Sequence, residues 1–112
     1  MKRLAGALLV IGLANCQHNS QDQERSVRSW IATARFAGHA WCSRDLSSAY
    51  LRETLAEVRD QLGDAMGEAD TLGRGELAVR ARHAVQVIDV LDRAAAQGDR
   101  GLGCETLISA RW

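Results

Sequence analysis

The chain has 112 residues, 14 Lys or Arg against 14 Asp or Glu, a formal net charge of zero and no proline. A chain this short builds one domain around one modest core, and a neutral balance argues against a general nucleic-acid binder, which carries a basic patch or stripe. Ala, Leu, Arg, Glu and Gln are abundant while aromatics make up 4%, so the composition points to an all-α fold.

Lys2 and Arg3 form a short basic start, and Leu4 to Leu13 follow without a polar side chain. This is the arrangement of a secretion signal, with its charged n-region and apolar h-region. The run is half the roughly 20 residues that a membrane-spanning helix needs, so a permanent transmembrane anchor is not expected. It ends in Leu13-Ala14-Asn15-Cys16, which resembles the cleavage box of bacterial lipoproteins; Asn15 stands where that pattern has Gly, Ala or Ser. The resemblance is confined to this N-terminal segment. It implies a signal peptide over residues 1–15, cleavage before Cys16 and a diacylglyceryl thioether on its sulfur. Gln17 rather than Asp follows the cysteine, which under the lipoprotein sorting rule implies the outer membrane, with the domain in the periplasm or at the cell surface. Ordinary signal cleavage is the other reading: Gly12 and Ala14 form a small-x-small site, which puts the cut after Ala14 and leaves Cys16 unmodified. Cysteine parity favours lipidation. The chain has three cysteines, Cys16, Cys42 and Cys104, and an exported protein with an odd number has a spare thiol unless one is capped. Two or more acyl chains hold a protein firmly where one does not. Loss of Lys2 and Arg3 with the signal leaves the mature chain slightly acidic.

Residues 16–24 continue as Cys-Gln-His-Asn-Ser-Gln-Asp-Gln-Glu. They carry no apolar period and read as a polar tether to the domain, residues 25–112. The first helical pattern spans about Asp22 to Cys42. Val27, Trp30, Ile31, Ala34, Ala37 and Trp41 recur at three and four and share one face, Arg25, Arg28 and Arg35 lie off it, and Phe36 lies beside it as a possible widening of the stripe. The second spans about Ser48 to Thr71, with Ser47 or Ser48 as its cap. Leu51, Leu55, Val58, Leu62, Ala65 and Ala69 form a four-three seam of the coiled-coil kind, and Gly73 and Gly75 then make a turn. The third spans about Glu76 to Gln97, with Leu77, Ala81, Ala84, Ile88, Leu91 and Ala95 in the same rhythm. Val79, Val85, Val87 and Val90 widen its apolar face toward both neighbours. Gly98, Gly101 and Gly103 end it, leaving a tail from Leu102 to Trp112 with at most one further helical turn over Glu105–Ala110.

Two seams of equal length around a tight glycine turn predict an antiparallel hairpin. The first helix then packs across it to complete a small three-helix, up-down-up bundle. In that topology Cys42, at the end of the first helix, and Cys104, just after the third, fall at the same end of the bundle. Export permits their oxidation. A disulfide across roughly 60 residues contributes about 4 kcal/mol in the chain-entropy model.

Candidate chemistry is sparse. His18, His39 and His83 lack the i, i+4 spacing of a helical metal site, and there is no C-x-x-C. Ser43, Ser47 and Ser48 lie near His39 and Asp45 in sequence, but no nucleophile elbow accompanies them, and starting a helix explains them. The glycine-rich turns match no phosphate loop. Trp30 and Trp41 read as core, and Trp112 either folds back on the bundle or projects as a contact residue. The one surface feature that stands out is an acidic stripe along the second helix: Glu53, Glu57, Asp60, Asp64 and Glu68. Arg52, Arg59 and the arginines of the first helix are its natural counter-charges; a solvated face is the plain reading of the stripe, and docking of a basic partner protein the sharper one.

No catalytic, cofactor or metal site is therefore expected. The leading expectation is a lipid-anchored structural or interaction module of the bacterial envelope, membrane-bound through Cys16, with an envelope protein as partner and no nucleic acid. The alternative is a small secreted inhibitor, immunity or exclusion protein.

Overall fold

A computed structural model describes the backbone of residues 2–112 and the side chains of residues 21–112; the side chains of residues 1–20, those of Cys16 and His18 among them, lie outside what is described. The described residues form four helices: α1 (Lys2–Cys42), α2 (Ser48–Thr71), α3 (Gly75–Gln97) and α4 (Arg100–Ser109). No strand occurs among the described residues.

The four run alternately up and down. Trp41 meets Ser48 and Gln23 meets Glu68, which sets α1 antiparallel to α2. Arg52 meets Asp92 and Arg59 meets Asp89, which does the same for α2 and α3. A side-chain carbon on Gly103 would touch both Trp41 and Ala94, and one on Gly38 would touch both Leu107 and Leu91. α4 therefore runs back along the seam between α1 and α3. The expected tail is thus a fourth helix, which forms because Asp99 accepts the Leu102 N–H at 3.0 Å and caps its start.

The apolar seams pack as their spacing requires. In α2, Leu51, Leu55, Val58, Leu62, Ala65 and Ala69 are all buried. In α3, Leu77, Ala81, Ala84, Ile88, Leu91 and Ala95 are buried together with Ala78 and Ala94. α1 adds Val27, Ile31, Ala34, Ala37 and Trp41, and α4 adds Leu107. Trp30, Val85 and Trp112 pack against this core from its margin, so the chain's last residue folds back on the bundle. Two of the residues expected to widen these faces point to solvent instead. Phe36 is 78% exposed and Val79 60% exposed, so neither widens the face of its helix.

Each interhelical turn closes with a left-handed residue: Arg44, Gly73 and Gly98, at φ 64°, 72° and 69°. In all three the following N–H bonds back to the carbonyl five residues earlier: Asp45 to Ala40, Arg74 to Ala69, and Asp99 to Ala94. This is the Schellman arrangement, which supplies donors to carbonyls that a helix end leaves free. Glycine makes the conformation cheap at two of the turns. At the first turn an arginine adopts it.

Candidate functional site

The end of the bundle where α1 gives way to α2 is closed by a covalent and polar cluster. Cys42 and Cys104 are joined by a disulfide with a Cα–Cα distance of 5.7 Å, as the helix order predicts. Trp41, fully buried, sits beside it. Its indole N–H donates to Ser48 Oγ at 2.9 Å, while the Arg100 guanidinium lies over the ring at 5.5 Å from its centroid and its Nε donates to the Trp41 carbonyl at 3.2 Å. Ser47 accepts the Tyr50 N–H at 3.2 Å and caps α2. The neighbouring serines therefore divide two structural tasks. Ser43 and His39 are exposed, and the contacts of this cluster tie α1, α2 and α4 together.

The acidic stripe lies on the side of α2 that faces away from the core. Glu53, Glu57, Asp60, Asp64 and Glu68 are all exposed. The counter-charges expected for it go elsewhere. Arg52 pairs with Asp92 at 3.1 Å and Arg59 with Asp89 at 2.9 Å, both on α3, and Arg28 pairs within its own helix with Glu24 at 3.2 Å. Arg52 and Arg59 lie seven apart, or about two helical turns, on the flank of α2 that abuts α3, within reach of Asp92 and Asp89.

The lower part of the stripe joins a groove between α1 and α2. Asp22, Gln23 and Ser26 of α1 line one wall, and Asp64, Gly67 and Glu68 of α2 the other. Gln23 is 9% exposed and its Nε2 donates to Glu68 Oε2 at 2.6 Å. Its Oε1 is buried and has no hydrogen-bond partner. Leaving such an acceptor unsatisfied costs about 1–3 kcal/mol. Residues 22–24 are thus part of the packed α1 rather than of a free polar segment: Gln23 is tied to Glu68, and Glu24 lies 3.8 Å from Arg74 in the turn before α3. Neither Asp22 nor Gln23 carries a sequence signal for this role. Both lie in a polar run with no period, and only the placement of α2 brings them to the stripe.

Among the described residues no three His, Cys, Asp or Glu side chains are grouped so as to hold a metal ion. His83 is exposed and lines a shallow recess between α3 and α4 with Val87, Val90 and Thr106. None of the described helices is long and apolar enough to cross a membrane. No protein-family model matches the chain, and neither the curated proteins nor the solved structures provide a match.

Proposed function

We propose that this chain is an exported, lipid-anchored helical module of the bacterial envelope that acts by contact with another envelope protein. The anchoring half of the reading rests on residues 1–16: a basic start, an apolar run and a cysteine in a lipobox-like setting. Signal peptide removal and acylation of Cys16 would place the bundle in the periplasm or at the surface, with the outer membrane as its destination. A disulfide between the other two cysteines accords with an oxidising compartment.

The binding half rests on one observation. The acidic face of α2 stays open to solvent while the arginines that flank it are engaged by α3. Five carboxylates at helical spacing repel one another, and a partner of opposite charge relieves that repulsion. The stripe faces solvent along α2 and its lower part borders the groove between α1 and α2, an arrangement that suits a docking face.

Intact mass of the protein purified from bacterial membranes, with and without reductant, tests the anchor. A chain beginning at Cys16, carrying acyl mass and gaining two hydrogens on reduction, is the expected result. A soluble chain beginning at Asn15 with no acyl mass overturns it. Reversal of charge at Glu57, Asp60 and Asp64 tests the binding face: its envelope cross-links should disappear, and their persistence would reject the stripe.

A further inference from the structure

We infer that α4 is a redox-gated latch. Reduction of the Cys42–Cys104 disulfide lets this helix leave the bundle and uncover the apolar cleft between α1 and α3, while α2 and α3 stay folded against α1. The inference rests on the packing of the described residues and needs neither the acyl anchor nor the acidic stripe.

By its own residues α4 is the weakest element of the fold. It spans ten residues, Arg100–Ser109, and a helix that short does not persist alone in water. Gly101 and Gly103 disfavour it further. Thr106 and Ser109 turn their hydroxyls back onto the carbonyls of Leu102 and Glu105, a bonding that slightly weakens a helix. Its buried residues are Gly103 and Leu107, while Leu102 and Ile108 are exposed. α2 and α3 are each more than twice as long and bury a full apolar seam, so their packing with α1 does not depend on α4.

The disulfide holds α4 near its middle. Arg100 ties the first turn to Trp41, and Trp112 packs on the core beyond the last. Beneath the helix lies the cleft, with Gly38 and Leu91 against Leu107 and with Trp41 and Ala94 against Gly103. Cys42 and Cys104 are half-buried and flanked by the exposed Ser43, Arg44 and Glu105, so a reductant meets the bridge at the margin of the bundle. The co-reactant is a dithiol. Its thiolate attacks one sulfur of the bridge, its second thiol resolves the mixed disulfide, and the dithiol leaves as a disulfide. The protein gains a pair of electrons and a pair of protons, and both cysteines become thiols.

The test records the Cα chemical shifts of the full chain, held in a non-ionic detergent, before and after addition of dithiothreitol. Reduction should move the shifts of residues 101–109 to coil values, displace the Leu91 methyl resonances and leave the shifts of α2 and α3 helical. Cys104→Ser should show the same open state without reductant and should not respond to it. Helical shifts in α4 after reduction, loss of α2 and α3 together with α4, or a closed α4 in Cys104→Ser each overturn the inference. None of these results alters the acyl mass on Cys16 or the cross-links of the stripe, so failure of the latch is distinguishable from failure of the envelope-module reading.

Discussion

The ring of Trp41 occupies the space that a side chain on Gly103 would need: a Cβ built there collides with Cζ3 and falls 2.8 Å from Cη2. The indole has nowhere to retreat, being fully buried and tied to Ser48 and Arg100. Gly103→Ala should therefore lower stability by about 1–3 kcal/mol through overpacking, even though alanine favours a helix by about 1 kcal/mol. Gly101→Ala, two residues away in the same helix, meets only Asp99 Oδ1 at an ordinary 3.5 Å and should raise stability by up to about 1 kcal/mol. Opposite shifts of the thermal midpoint would establish the contrast.

The disulfide spans a sequence separation of 62. In the chain-entropy model that is worth about 4 kcal/mol, a large share of the stability of so small a domain. The Cys42→Ser, Cys104→Ser double variant should melt well below the parent. Added reductant should shift the parent's midpoint down and leave that of the variant where it is.

Arg44 holds a left-handed backbone at φ 64° with its side chain exposed. A side chain in that region costs about 1–2 kcal/mol, part of which glycine returns as greater freedom of the unfolded chain. Arg44→Gly should stabilise by about 0.5–1 kcal/mol, read as a higher denaturant midpoint with an unchanged slope.

Ser47 and Ser48 are adjacent and serve different ends. Ser47→Ala removes the cap of α2 and should cost about 0.5–2 kcal/mol. Ser48→Ala strands the indole N–H of a buried tryptophan and should cost about 1–3 kcal/mol. The second loss, unlike the first, should also move the fluorescence of Trp41, because of the two serines it is Ser48 that bonds to its indole.

Much of the fold is legible in the residues. The four-three seams of α2 and α3 define buried faces, since apolar side chains at that spacing leave a helix no other way to hide them. The same logic places Cys42 and Cys104 together. The fourth helix was obscured because Gly101 and Gly103 read as terminators. Gly103 is instead a site of close approach to Trp41, a role that depends on a residue 62 positions earlier. The partners of Arg52 and Arg59 were obscured for a similar reason: charge sign alone does not say which neighbouring helix supplies the carboxylate. The groove was the least legible feature. Asp22 and Gln23 belong to a polar stretch without period, and the burial of Gln23 exists only once Glu68 is set beside it.

Topologically, the disulfide makes the chain a ring with two arms. α2 and α3 lie wholly inside the ring, and α1 and the end of α4 hang from its single knot. The exposed Leu72–Gly73 turn is the ring's far point. A protease that cuts there opens the ring without dividing the molecule, because both new pieces remain held through Cys42 and Cys104. One nick at the tip then releases neither half, and the piece that bears α3 and α4 stays joined to the piece that bears α1 and α2 until the sulfur bridge is reduced.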